Sequence, residues 1–230
     1  MYKRQSIHGA EGVNKSNVEL DTSIFTMLLK ILDNKTIIPP RAKFLMTTPT
    51  FGYYLQLIRQ AGREGDLELL FCHENHKEAG ANMNDLINYI REHKPQILLF
   101  TNPCNPTGRI YKKEELERLA DVCREEGVFI LCDEAFLDTS MDGNEYNTTM
   151  AEFLRPGEGF VFFSLGKAYK SDGARVSAIY GGEKNLKTVF SPWKDVDGNL
   201  CGYGIQHAII LMSMSDADRK EFITSQMREI

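Results

Sequence analysis

Between Asn102 and Arg175 the chain repeats one arrangement, an apolar run that breaks off at a short polar signature. Gln96 to Thr101 leads into Asn102-Pro103-Cys104-Asn105-Pro106-Thr107-Gly108, and Val128 to Cys132 leads into Asp133-Glu134-Ala135-Phe136. Gly159 to Ser164 leads into Leu165-Gly166-Lys167, with Gly173-Ala174-Arg175 behind it. Short apolar runs separated by helical patterns read as buried strands of a parallel sheet. Loops at the carboxyl ends of such strands gather at one edge of the sheet, where open α/β folds bind their ligands. All three signatures are therefore expected at one site.

The segments between the runs set the fold class. Lys113 to Glu126 carries an apolar stripe at Leu116, Leu119, Ala120 and Cys123, with Glu114 and Glu115 in its first turn and Gly127 past its end. Those features define an amphipathic helix with both ends marked. Ile24, Phe25, Leu28, Leu29 and Leu32 predict a helix capped by Asp21, Thr22 or Ser23 and closed by Asn34. Strands are expected at Lys43 to Thr47 and Leu67 to Cys72, a helix after the Thr48-to-Tyr54 segment to about Ala61, and another at Asp85 to His93. Thr149 to Leu154 is a weaker helical piece, and Arg175 to Tyr180 predicts a strand ending at Gly181-Gly182. Ser191 to Gly204 reads as a long loop, Ile205 to Met214 as an apolar helix, and Asp216 to Ile230 as the start of another, capped by Ser215 or Asp216. Met1 to Asn17 is polar and without period, and is set aside from fold reasoning. The alternation predicts an α/β domain with a mostly parallel open sheet flanked by helices.

The residue types at the signatures suggest a chemistry. A partly desolvated lysine at a strand end can lose its proton and trap a carbonyl, and a buried carboxylate can hold a proton on a heteroaromatic nitrogen. Pyridoxal phosphate asks for both, and its phosphate asks for hydroxyls, backbone N–H groups and an arginine. Lys167, Asp133, and Ser164 with Arg175 fit those roles. Each also has a plainer reading: a solvated loop lysine for Lys167, a turn cap for Asp133, and a surface ion pair for Arg175. Asn105 could be the polar corner of a proline-flanked turn.

Taken in order, Asn-Pro-x-Asn-Pro-Thr-Gly, Asp-Glu-Ala-Phe and Ser-x-x-Lys-x5-Gly-x-Arg resemble the class I/II aminotransferases of the fold-type I pyridoxal-phosphate enzymes, over roughly residues 18 to 214. The resemblance implies that Lys167 forms the Schiff base and moves the substrate's α-proton, and that Asp133 partners the pyridine nitrogen. It implies further that Asn105 donates to the cofactor's phenolic oxygen, and that Phe51, with Tyr53 and Tyr54 as adjacent alternatives, stacks on the ring. Ser164 and Arg175 would take the phosphate, with Gly173 shaping the loop that aims Arg175. The implied reaction is transamination between an amino acid or amine and a 2-oxo acid, in a homodimer when the protein is full length. The family continues past the position of Ile230 into a small domain that grips the substrate carboxylate. On that basis 18 to 214 is expected to be the cofactor-binding domain, 1 to 17 a polar lead, and 215 to 230 the beginning of a missing small domain. After Arg175 only Arg219 and Arg228 remain as arginines.

Three positions depart from the family pattern. Phe136 stands where a tyrosine is usual, removing one hydrogen bond worth roughly 1 kcal/mol. Gly166 replaces the second serine of Ser-x-Ser-Lys, and Asp21-Thr22-Ser23 replaces a glycine-led helix start, placing a carboxylate near a dianion. Phe136 keeps open a decarboxylase or lyase on the same scaffold, and a catalytically silent fragment is a further alternative. A dinucleotide-dependent dehydrogenase is disfavoured, because no G-x-G-x-x-G follows a strand.

Charge and cysteine content narrow the partners. The net charge is -5, with Lys and Arg scattered among acidic residues, so no basic stripe points to nucleic acid or an anionic membrane. Five cysteines form no C-x-x-C pair and no metal-ligand cluster, which fits a reducing compartment and no metal. With neither a leader pattern nor an apolar run of spanning length, a cytoplasmic, untargeted chain is expected.

Overall fold

A computed structural model of the chain describes residues 15–73, 81–139, 148–167, 169–194 and 200–228. The elements, in order, are β1 (Val18–Asp21), α1 (Ile24–Asp33), β2 (Lys43–Thr48), α2 (Tyr53–Gln60), β3 (Glu68–His73), α3 (Met83–His93) and β4 (Ile97–Thr101). They continue with α4 (Lys113–Glu126), β5 (Phe129–Glu134), β6 (Gly159–Ser164), β7 (Ser177–Gly181), α5 (Glu183–Phe190), α6 (Gly202–Ser213) and α7 (Asp216–Arg228). The strands form one sheet in the order β1-β7-β6-β5-β4-β2-β3. β3, β2, β4, β5 and β6 are mutually parallel, and β7 is antiparallel to both β6 and β1. The expected mostly parallel open sheet is the observed one.

Strand alternation divides the core between two faces. Leu45, Leu98, Phe100, Ile130, Cys132, Val161 and Phe163 pack against Leu86 and Ile90 of α3 and Leu116 and Leu119 of α4. Phe44, Met46, Ile97, Leu99, Leu131, Phe160 and Phe162 pack against Met27 and Ile31 of α1, Leu57 and Ile58 of α2, and Leu186 and Val189 of α5. Leu165, Tyr169, Val176 and Leu211 make a third, smaller cluster, joined by Phe222 and Ile223 of α7. The same alternation sends Thr101, Asp133 and Ser164 toward the α1/α2 face and Glu134 toward the opposite one.

Most expected elements are present with boundaries moved by a residue or two. Ser23 is the cap of α1, its Oγ accepting from Thr26 N at 3.1 Å, and Asn34 closes the helix. In α4, Lys112 N donates to the Glu115 carboxylate at 2.9 Å, and Gly127 takes the left-handed conformation at φ 70°. The weak helical piece is a 3-10 turn at Met150–Glu152. The strand expected from Arg175 begins at Ser177 instead, because Arg175 adopts φ 48° as the C-cap of a short 3-10 turn, Asp172–Ala174. Part of the loop expected over Ser191 to Gly204 is helical, at Ser191–Trp193 and from Gly202; residues 195–199 lie outside the described ones. β1 and α5 are additional to the sequence reading.

Candidate active site

The topology brings six segments to one edge of the sheet. β2, β4, β5 and β6 all end there, β7 begins there because it runs the other way, and β1 ends there because it is reversed again. α1 starts at the same edge. β2 is followed by β3 on one side and paired with β4 on the other, so the loops after β2 and β4 diverge and leave a crevice. The crevice is a cavity of about 320 Å³. Its wall comes from Phe51 and Tyr54 after β2, Thr101, Pro103 and Asn105 after β4, and Asp133, Ala135 and Phe136 at β5. Ser164, Gly166 and Lys167 at and after β6, Ser171, Asp172, Arg175, Val176 and Ser177 before and in β7, and Thr22 to Phe25 at the start of α1 complete it. Phe51, Asn105, Asp133, Ser164, Lys167 and Arg175, the site residues expected from the sequence, lie on this wall.

Asp133 is the most deeply held of them. Its Oδ2 accepts from Tyr54 Oη at 2.6 Å and its Oδ1 from Ala135 N at 2.8 Å. Burial pushes the Asp133 carboxyl above its ordinary value, opposed by these two donors, and burial beside Asp133 pushes the Tyr54 hydroxyl well up. Both donors are neutral. Thr101, opposite Asp133 in the β4/β5 register, has a buried Oγ1 without a hydrogen-bond partner. The next residue, Glu134, serves the other face, accepting from Thr149 Oγ1 and Met150 N at 2.7 Å each.

The two asparagines of the first signature divide their work. Asn102 is fully buried, its Oδ1 accepting from Tyr111 N at 3.0 Å, and so shapes the loop. Asn105 faces the cavity. Phe51 stacks on Phe25 with centroids 5.8 Å apart and meets Tyr54 edge-on at 5.7 Å, which fixes its ring at the wall. Tyr53 is 55% exposed and is not among the wall residues.

The opposite end is polar and cationic. Ser164 Oγ accepts from Gly166 N at 3.1 Å, and Lys167 Nζ lies 3.6 Å from Asp172 Oδ2. Arg175 is exposed and forms no ion pair among the described residues. Gly173 differs from expectation: its φ is not positive and a Cβ there would meet nothing, so the bend that aims Arg175 comes from Arg175's own left-handed backbone. Asp21 turns away from the cavity. Its Oδ2 meets Lys30 Nζ at 2.6 Å, and its Oδ1 accepts from Thr22 N and Thr26 Oγ1 at 2.6 and 2.8 Å, so the expected repulsion is cancelled locally.

The loop carrying Lys167 and Arg175 is braced from below. Ser171 Oγ lies 2.9 Å from His207 Nε2 of α6. A Cβ on Gly204 would overlap Ala174 O, so α6 rides directly on the 3-10 turn. The side chains of Arg219 and Arg228 lie outside the described residues. Sequence reasoning missed Tyr54 as the partner of Asp133, Thr101, Ser171 and Asp172. Tyr54 carried a signal, since Tyr54, Leu57 and Ile58 make an inward i, i+3, i+4 stripe on α2.

A cavity with a buried carboxyl at one end, a lysine, and an arginine among hydroxyls at the other can hold an extended anionic ligand and move a proton on it. A family model, aminotransferase class I and II, matches residues 26–230. The chain is 30% identical over 134 residues to the aspartate aminotransferase of Pyrococcus abyssi, covering 55% of this chain and 33% of that enzyme. It is 30% identical over 149 residues to the threonine-phosphate decarboxylase of Pseudomonas aeruginosa, covering 60% and 43%. In fold it is similar to the PLP-bound C-S lyase of Staphylococcus hominis, with a TM-score of 0.81 at 18% identity, covering 99% of this chain and 54% of the other. A Thermus thermophilus aspartate aminotransferase mutant gives 0.80 at 18% identity, covering 99% and 59%. The chain thus spans less than two thirds of the length of each of these proteins.

Proposed function

Because this chain belongs to the class I and II aminotransferases, we propose that its cavity holds pyridoxal phosphate and serves transamination between an amino acid or amine and a 2-oxo acid. The observation that carries this reading is the convergence of the three signatures, 102–108, 133–136 and 164–175, on one cavity wall. The residues present fit the group. The buried Asp133 carboxyl has only neutral donors, and a cationic ring N–H would supply the charge that burial withholds; the unpartnered Thr101 Oγ1 beside it is available to a polar ligand atom.

Within this reading Lys167 is the amine that holds the cofactor's aldehyde, Asn105 faces its phenolic oxygen, Phe51 covers its ring, and Ser164 and Arg175 take its phosphate. When bound, the cofactor supplies an electron-withdrawing ring that accepts the electron pair left at the substrate's Cα. Asp133 keeps a proton on the ring nitrogen, and Tyr54 keeps Asp133 ionised and oriented. Lys167 Nζ, on the cavity wall, takes and returns the α-proton. Arg175 fixes the anion through a forked contact.

Residues 18 to 214 form the cofactor-binding unit in this proposal, acting in a cytoplasmic homodimer of the full-length protein on small-molecule substrates, with no nucleic-acid or membrane partner. Among the described residues no helix is long and apolar enough to cross a membrane. Phe136 on the cavity wall favours a second reading, a pyridoxal-phosphate-dependent decarboxylase or lyase, since a hydroxyl toward the phenolic oxygen is lacking there. Incubation with pyridoxal phosphate, borohydride reduction and peptide mapping tests the site. The pyridoxyl label is expected on Lys167; a label on Lys170, or none, would overturn the assignment.

A further inference from the structure

Position 166 and Asp172 depart from the expected cup together. A Cβ built on Gly166 would overlap Asp172 Oδ1 and approach its Cγ at 3.1 Å, so the carboxylate sits where a side chain at 166 would lie. From that seat it faces Lys167, and Gly166, Lys167, Asp172 and Arg175 all share the cavity wall. A serine at 166 would offer an anion a hydroxyl. This chain presents a carboxylate instead, which repels one. The Lys167 and Asp172 side chains are 47% and 66% exposed, so their pairing contributes little to stability, and the effect of Asp172 falls on what the cavity accepts.

Resting on the reading of the cavity as a pyridoxal-phosphate site, we propose that Asp172 is a specificity-determining residue that loosens the hold on the cofactor's phosphate. Asp172 takes up the charge of Lys167 and leaves Arg175 as the one cation of the wall not already opposed by a carboxylate among the described residues. A dianion entering the cup meets Arg175 and the hydroxyls of Ser164, Ser171 and Ser177, with a fixed negative charge beside them. The cofactor therefore binds weakly through its phosphate and exchanges with solution. Gly166 is the permissive half of the device, since only a residue without Cβ leaves Asp172 its seat.

Calorimetric titration of the 230-residue protein with inorganic phosphate, pyridoxal phosphate and phosphate-free pyridoxal tests this. Asp172→Asn is expected to tighten both phosphate ligands by roughly three- to tenfold, to change pyridoxal by clearly less, and to lose its advantage as salt is raised. Gly166→Ser alone is expected to tighten phosphate binding, because the new side chain displaces the Asp172 carboxylate from its seat and brings a hydroxyl. Gly166→Ser with Asp172→Thr is expected to bind phosphate more tightly than the unaltered protein. Unchanged or weaker phosphate binding by Asp172→Asn overturns the proposal, as does equal tightening of pyridoxal. If the unaltered protein binds inorganic phosphate but takes no pyridoxyl label at Lys167, the cofactor reading fails while the phosphate series still decides the role of Asp172.

Discussion

Tyr54 Oη donates to Asp133 Oδ2 at 2.6 Å, and the two residues are only 2% and 7% exposed. One comes from the first turn of α2 and the other from the end of β5, so a single hydrogen bond ties the divergent loop after β2 to the floor of the cavity. Tyr54→Phe is expected to cost about 1.5–3 kcal/mol, the range for a hydrogen bond to a charged group. It should also push the Asp133 carboxyl further up, since Tyr54 is the chief donor lowering it. Urea unfolding at neutral pH measures the first effect, and a loss below 0.5 kcal/mol would mean that the carboxyl is not ionised there.

Asp133 makes stability depend on pH in a direction opposite to that of a paired surface carboxylate. Its folded-state carboxyl titrates above the ordinary value of 3.8, so the folded state binds more protons than the unfolded one within that window. The stability contributed by its protonated form is complete below the ordinary value and is lost as pH rises through the raised one. Asp133→Asn should therefore gain on the unaltered protein as pH rises from acid toward neutral. Unfolding curves of both proteins across that range check the sign; parallel pH profiles would contradict it.

Asp21 and Lys30 form an ion pair whose side chains are 8% and 7% exposed. Asp21→Ala removes the carboxylate that faces the buried Lys30 ammonium and accepts from Thr22 N, Thr22 Oγ1 and Thr26 Oγ1, and is expected to destabilise by about 3–5 kcal/mol. Asp21→Ala with Lys30→Met should recover much of that loss, because the buried ammonium that Asp21 faced is gone as well. Thermal unfolding of the single and double variants decides the matter, and additive losses would show that the pair is not coupled.

Phe136→Tyr places a hydroxyl on the cavity wall. At about 1 kcal/mol for the added hydrogen bond, pyridoxal phosphate should bind roughly fivefold more tightly. Binding followed by absorbance checks this, and an unchanged affinity would mean that the para position of ring 136 does not reach the ligand.

The central strands and α4 were legible because their signals were local and mutually consistent: apolar runs of strand length, a full helical stripe, acidic residues at one end and Gly127 at the other. The convergence of Asn105, Asp133, Ser164 and Lys167 followed from parallel topology alone. β1 escaped notice because Val18–Asp21 is a short edge strand that, among the described residues, pairs with β7, a long-range partner. α5 did have a stripe, at Leu186, Val189 and Phe190, but one short enough to pass for loop after two glycines. The seat of Asp172 could not have been read, because it depends on a chain reversal that brings residue 172 back over residue 166. The left-handed Arg175 was likewise hidden, since non-glycine residues seldom take that conformation and nothing local announces it.

Gly204 meets the Ala174 carbonyl through bare backbone, at a point where a Cβ would overlap it. Distances set by side chains drift as methyl groups are gained and lost, whereas a backbone stop has one value. The height of the turn that presents Arg175 is in effect gauged against the axis of α6, and sequence change elsewhere in that helix can leave the setting alone. The same stop is intolerant at a single point: one methyl group at residue 204 lifts the whole turn, and no compensating trim is available on the other side, because a peptide carbonyl cannot be made smaller.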